Sequence, residues 1–128
     1  MVHISAQVLQ DHVQSVFIAT GVPEGRALVV ASSLVESDLV GHDSHGVLRV
    51  GSYIEAIERG SVDPCADMEV VRSSATTAVI DGHRGLGVVV GRQAMSLAMA
   101  KADAHDIGMV AVRNTGHTGR MGKYAVQA

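Results

Sequence analysis

Apolar positions recur with helical spacing through the first 60 residues of the chain. Three segments show this pattern, and each lies between residues that favour a helix start or end: Ser5 to Gly21, Pro23 to Gly41, and Val47 to Gly60. Short glycine-containing connections between such helices are typical of a compact bundle. The pattern therefore predicts three packed helices, with the apolar stripe of the second running through Ala27, Leu28, Ala31, Leu34, Val35 and Leu39.

The pattern changes at Ser61-Val62-Asp63-Pro64, which we interpret as a linker. Beyond it, β-branched runs at 68–72 and 76–81 predict a hairpin, residues 88–105 a helix, and 109–113 a third strand. A further helix begins at Lys123 and the sequence stops inside it. We therefore expect an α+β protein, with a helical N-terminal domain over residues 1–64 and the truncated first part of an α/β domain over residues 65–128.

Composition narrows the class of protein. The chain has 128 residues, 47% of them apolar, but only three aromatic side chains, so aliphatic residues must build the core. A net charge of −3 without a basic run argues against nucleic acid or an acidic membrane surface as a partner. No apolar run is long enough to span a membrane, the start lacks a signal-peptide pattern, and the single Cys65 excludes an internal disulfide. We expect a cytoplasmic protein.

The densest chemistry lies in residues 41–49, between the second and third helical segments. This segment holds two histidines, an aspartate, a serine and an arginine. We expect Asp43 or Ser44 to cap the third helix, whose free N–H groups would then favour an anion. Arg49 adds a planar guanidinium suited to a carboxylate. A small acid is the predicted ligand.

Each motif also has an ordinary structural interpretation. The glycines of residues 82–87 are spaced G-x-x-G-x-G rather than G-x-G-x-x-G, which favours a tight turn over a dinucleotide-binding loop. His42, Asp43 and His45 have no third histidine or cysteine nearby, so we expect no metal site. Adjacent Asp, Ser and His residues cannot align as a hydrolytic triad, and Arg49 could simply lie along its helix.

Two segments together resemble a known family. Residues 36–49, with the D-S-H-G sequence at 43–46, and Asn114-Thr115-Gly116-His117-Thr118-Gly119 resemble the malate/L-lactate dehydrogenases of type 2. Members of that family are more than twice this long, so the resemblance covers their N-terminal part. It implies a helical domain packed on a non-Rossmann α/β domain that binds NAD or NADP.

The resemblance also implies roles for individual residues. One of the histidines His45 and His117 acts as acid/base in related enzymes, Ser44 belongs to the same catalytic set, and Arg49 matches a substrate-binding arginine that His45 accompanies. Thr118 and Arg120 depart from several branches and look more like the hydroxycarboxylate dehydrogenases. The implied cofactor-binding residues are His117, Thr118, Gly119, Arg120 and Met121.

These residues suit hydride transfer, because a carbinol that loses hydride must also lose a proton to a group that titrates near neutral pH, such as histidine. We therefore expect an NAD(P)-dependent oxidoreductase of 2-hydroxy and 2-oxo acids, homodimeric when full length and inactive as this fragment. His45 and His117 should then face one cleft. The alternatives are a non-catalytic binding or assembly module and a histidine-based metal site, which the metal content of purified protein would detect.

Overall fold

Helices α1 (Ala6–Ala19) and α2 (Glu24–Leu39) pack against each other in the computed structural model, which describes residues 3–128. The Ser5 hydroxyl caps α1 by accepting the Val8 N–H at 3.3 Å. Gly21 turns the chain toward α2 at a φ of +88°, a conformation that glycine adopts without steric cost. The first two helices are confirmed as predicted.

The core of this part of the chain forms between α1, α2 and a shorter helix α3 (Val50–Glu58). Phe17 is fully buried, and its ring lies 6.2 Å from that of Tyr53 on α3. The predicted stripe of α2 is wrong in two positions, since Leu28 and Leu39 are 43% and 70% exposed. The face that is buried instead follows the i, i+3, i+4, i+7 spacing. Its apolar members are Ala27, Val30, Ala31, Leu34 and Val35.

The third helix begins later than predicted. Two 3₁₀ turns, Asp43–His45 and Val47–Arg49, precede it, and α3 starts only at Val50. No side chain caps α3, so the expected capping by Asp43 or Ser44 is wrong. The N-terminus of α3 therefore lies at Val50, and not at Ser44.

A three-stranded sheet with helix α4 packed on it forms the second part of the chain. Strands β1 (Glu69–Ser73) and β2 (Thr77–Gly85) are antiparallel, and β3 (Met109–Thr115) runs parallel to β2 on its other side. Helix α4 (Gly87–His105) connects β2 to β3, and α5 (Gly122–Gln127) follows. The predicted hairpin, helix and third strand are confirmed, and with them the α+β class.

Two compact units result, one ending at Cys65 and the other spanning Ala66–Ala128. In the second unit Ile80, Val90 and Ala94 form a buried cluster between β2 and α4. The partly buried residues packed against it are Met68, Leu97, Val110 and Val112. Among residues 3–128, no helix has both the length and the apolar character needed to cross a membrane.

The predicted tight turn at residues 82–87 falls in the last part of β2, where the regular pairing with β3 is interrupted. Strand β2 continues through Gly85, and α4 starts two residues later. His83 and Arg84 lie in this last part of the strand with φ values of +48° and +62°. Left-handed backbone is uncommon in residues other than glycine, so the residue types at these two positions do not indicate it.

Candidate active site

The loop after α2 brings the residues of the D-S-H-G sequence together. The Ser44 Oγ and His45 Nδ1 atoms are 3.0 Å apart, and the His42 and His45 rings meet edge to face at 4.6 Å. A serine hydroxyl both donates and accepts hydrogen bonds. The contact with Ser44 is therefore compatible with His45 in its neutral and in its protonated form.

Arg49 is tied back to the same loop. Its Nε–H donates to the Ser44 carbonyl at 2.7 Å, across the two 3₁₀ turns. This bond uses only one of the five N–H groups of the guanidinium, so the two terminal amino groups can still bind a carboxylate. Ser44, His45 and Arg49, predicted from the sequence, are thus brought into one local arrangement.

Asp38 shapes this loop, and the sequence did not single it out. Its Oδ2 accepts the Val47 N–H at 2.9 Å, which supplies from α2 the hydrogen bond that Asp43 or Ser44 was expected to provide. A β-carbon on Gly46 would collide with the Asp38 carboxylate. The contact spans nine residues and depends on how α2 meets the loop, so no local pattern predicts it.

Replacing Gly46 with alanine should therefore displace Asp38 and break its bond to Val47. A lost hydrogen bond to a charged group costs about 1.5–3 kcal/mol, which should appear as a lower melting temperature. Gly51→Ala is the matched control, because nothing lies within 4 Å of a β-carbon at that position. Equal melting temperatures for the two variants would contradict this account of Asp38.

In the second unit, the loop after β3 carries the other predicted site residues. The Gly116 N–H donates to the Gly85 carbonyl at 2.9 Å, which holds the loop against the end of β2. A β-carbon on Gly87, the first residue of α4, would collide with the carbonyl oxygens of Gly116 and His117. The loop backbone therefore lies directly on the start of α4.

His117 has a defined tautomer in this loop. The Gly119 N–H donates to His117 Nδ1 at 3.3 Å, so Nδ1 is an acceptor and the ring proton of the neutral form is on Nε2. Further along, the Tyr124 hydroxyl donates to the Thr118 carbonyl. Burial raises the pKa of Tyr124, which keeps this hydroxyl protonated and able to donate.

Arg120 and a neighbouring groove complete the loop region. The Arg120 Nε is buried and has no hydrogen-bond partner within residues 3–128. Thr118, Met121 and Tyr124 line a groove of about 460 Å³, together with residues of α4 and β3. Most of the lining side chains are apolar, which suits a flat organic group.

Asp81 forms a charged cluster at the point where the regular pairing of β2 with β3 ends. The backbone hydrogen bond from His83 is the main cause that lowers the pKa of Asp81 below 3.8, and the hydrogen bond from the Asn114 amide, the charge of His83 and the hydrogen bond from Arg113 lower it further. A lowered pKa means that the ionised carboxylate stabilises the folded state. This contribution is complete above pH 3.8 and is lost as the pH falls through the lowered pKa.

The predicted site residues thus form two local groups, one in each unit. Ser44, His45 and Arg49 make up the first, and residues 117–121 make up the second. That His45 and His117 face one cleft stays a prediction. Within residues 3–128, no three His, Cys, Asp or Glu side chains are grouped so that they could hold a metal ion.

Comparison with known proteins places the chain in a family context. The family model described as malate/L-lactate dehydrogenase matches residues 4–128. The chain is 47% identical to the L-sulfolactate dehydrogenase of Methanocaldococcus jannaschii over 105 residues, which are 82% of this chain and 30% of that one. It is 40% identical to the malate dehydrogenase of Pyrococcus abyssi over 127 residues, 99% of this chain and 35% of that one.

The fold agrees with these sequence matches. The solved structure of malate dehydrogenase from Pyrococcus horikoshii superimposes with a TM-score of 0.96 at 40% identity, over 99% of this chain and 36% of that chain. The chain therefore spans about a third of the length of the curated relatives it matches.

Proposed function

The chain belongs to the malate/L-lactate dehydrogenase family, and on that premise we propose that the full-length protein is an NAD(P)-dependent oxidoreductase of 2-hydroxy and 2-oxo acids. The observation that carries the proposal is the loop of Ser44, His45 and Arg49. It joins a titratable imidazole to a guanidinium within six residues. These are the groups that a 2-hydroxy acid needs, one for its hydroxyl proton and one for its carboxylate.

Arg49 would hold the substrate carboxylate. Its Nε bond to the Ser44 carbonyl fixes the plane of the guanidinium, so the two terminal amino groups can meet both carboxylate oxygens. Binding in this way also orients the carbinol carbon relative to the loop.

His45 would take the hydroxyl proton during oxidation and return it during reduction. In the tautomer that can accept this proton, Nδ1–H donates to the Ser44 hydroxyl and Nε2 is unprotonated, so the contact with Ser44 is kept when Nε2 gains the proton. A histidine can therefore gain and lose a proton there without breaking the loop geometry.

His117 would act as a hydrogen-bond donor. With Nδ1 accepting from Gly119, its neutral ring presents an Nε2–H, which can stabilise the negative charge that develops on a substrate oxygen. Adding a proton to His117 Nδ1 would break the hydrogen bond that this atom accepts from the Gly119 N–H. This cost favours His45 over His117 as the acid/base.

The loop of the second unit fits a nicotinamide dinucleotide. Arg120 offers a buried N–H without a partner within residues 3–128, which suits an anionic oxygen, and the adjacent groove is mostly apolar. His117, Thr118, Gly119, Arg120 and Met121 would hold the cofactor. The chemistry that it supplies when bound is hydride exchange with the carbinol carbon. The non-Rossmann nature of this α/β unit, a cytoplasmic location and a homodimeric full-length assembly belong to the same proposal.

The proposal is tested by assaying the purified full-length protein. We expect oxidation of at least one of malate, lactate and sulfolactate with NAD⁺ or NADP⁺. The reaction is monitored by the absorbance of the reduced cofactor. The 128-residue chain alone should be inactive. If the full-length protein turns over no 2-hydroxy acid with either cofactor, a non-catalytic binding module becomes the better description.

Replacing Arg49 with lysine should mainly weaken acid binding. A lysine cannot donate to the Ser44 carbonyl and also bind both carboxylate oxygens of the acid. The KM for the acid should therefore rise by about ten- to a hundredfold, with a smaller change in kcat. Steady-state kinetics of the full-length enzyme measure both. Arg59→Lys is the control, since Arg59 lies exposed on the surface near Glu55. An unchanged KM for Arg49→Lys would remove Arg49 from the substrate site.

A further inference from the structure

Strands β2 and β3 lose their regular pairing shortly before the loop that carries His117. The last regular pair is Asp81 with Arg113. The next pair is Gly85 with Thr115, so three residues of β2 face a single residue of β3. Left-handed backbone in residues with side chains persists only where surrounding contacts enforce it. In this irregular segment it occurs at His83, Arg84 and Asn114, with φ values of +48°, +62° and +52°.

The Asp81 carboxylate joins the two strands across this segment. Its Oδ1 accepts the His83 N–H and the Asn114 side-chain amide, both at 2.9 Å. Its Oδ2 accepts the Arg113 Nε–H at 3.1 Å. The side chain is only 14% exposed, so these donors from both strands replace most of its contact with water. The end of β3 is thereby fixed relative to β2.

Other charged groups surround this carboxylate. Arg113 and His83 face it directly, with His83 Nδ1 at 3.6 Å from Oδ1. Glu69 of β1 faces His83 from the other side, at 3.0 Å from Nε2. The ionised carboxylate of Asp81 therefore lies between the positively charged Arg113 and His83, which is positive when protonated.

The segment that Asp81 holds leads directly into the cofactor-contacting loop. Asn114 precedes His117 by three residues, and Gly116 returns to hydrogen-bond with Gly85 at the far end of the irregular segment. The hydrogen bonds of Asp81 go to residues 83, 113 and 114, and not to the loop itself. Any effect of Asp81 on His117 must therefore pass through the backbone of β3.

We propose that Asp81 is a positioning residue for His117, because it sets the direction in which the loop leaves β3. This inference rests on the function proposed above, in which the loop contacts cofactor and substrate. Asp81→Asn replaces one oxygen with an amide group, which then faces an N–H donor instead of accepting from it. The substitution should remove a hydrogen bond that fixes the end of β3, from which the loop leaves, and it changes no other residue of β2 or β3.

The test is a double-mutant cycle in the full-length enzyme. Asp81→Asn should lower kcat/KM for the nicotinamide cofactor by about tenfold, since small displacements of catalytic groups are costly. In a His117→Ala background the same change should cause little further loss, because the group that it positions is gone. An equal loss in both backgrounds would mean a general structural role and would overturn the inference.

A second variant covers the case in which Asp81→Asn does not fold. Asn114→Gly removes one amide donor to Asp81 but tolerates the left-handed backbone, so it should show the same dependence on His117. Asp103→Asn on the exposed surface of α4 is the control and should leave kcat/KM unchanged. If the wild-type enzyme turns over no 2-hydroxy acid, the proposed function fails. If it is active and both Asp81→Asn and Asn114→Gly retain full kcat/KM, only the positioning role fails.

Discussion

Replacing His45 with alanine should lower kcat of the full-length enzyme by about 10²- to 10⁴-fold, the range that general acid–base catalysis usually contributes. The expectation follows from the Ser44 contact, which allows His45 to change protonation state within an unchanged loop. Removal of the ring leaves the substrate hydroxyl without a proton acceptor. Binding of the acid should change less, because Arg49 and its bond to Ser44 remain.

Added imidazole provides a sharp check on this result. If His45 is the acid/base, free imidazole should restore part of the lost kcat of His45→Ala, and it should do little for His117→Ala, whose proposed role is that of a fixed donor. His12→Ala is the control, since His12 is an exposed residue of α1. A His45→Ala enzyme with wild-type kcat, or one in which only His117→Ala responds to imidazole, would reverse or remove the assignment.

Gly87→Ala should strongly destabilise the second unit. The added methyl group would meet the carbonyl oxygens of Gly116 and His117, which are backbone atoms and cannot rotate away. Either the start of α4 or the loop must move, at a cost of about 3 kcal/mol, the upper part of the usual range for overpacking. The displaced loop should also bind the nicotinamide cofactor more weakly.

Urea unfolding and cofactor titration of the full-length protein measure the two consequences. Gly25→Ala adds the same methyl group to the first turn of α2, where nothing lies within 4 Å, and should raise stability by about 0.4–1 kcal/mol. Opposite signs for the two substitutions are therefore expected. A Gly87→Ala protein as stable as the wild type would show that the loop does not rest on α4 in solution.

Local patterns in the sequence predicted most of the elements. Ser5 followed by periodic apolar residues located α1, and the β-branched runs located the hairpin, because capping and side-chain spacing act within a few residues. The positions of Gly21 and Gly41 also marked helix ends, and both have positive φ.

Features that depend on contacts between distant residues were not predictable. The 3₁₀ turn that precedes α3 is held by Asp38, which accepts a hydrogen bond from the Val47 N–H nine residues later in the chain. The course of β2 beyond Asp81 depends on Arg113 and Asn114, more than thirty residues away. In both places a carboxylate overrides the local preference of the chain, and single-residue patterns do not encode such partners.

The two tyrosines give the units separate optical properties. The chain has no tryptophan, and it places Tyr53 in the helical unit and Tyr124 in the unit with the sheet. Tyr53 lies beside the Phe17 ring, whereas the Tyr124 hydroxyl is bonded to the carbonyl of Thr118. The tyrosine bands in the near-ultraviolet circular dichroism and the tyrosine emission of the 128-residue chain therefore arise from one phenol in each unit. A Tyr53→Phe chain would carry a single tyrosine, Tyr124, whose hydroxyl is hydrogen-bonded to the loop of His117.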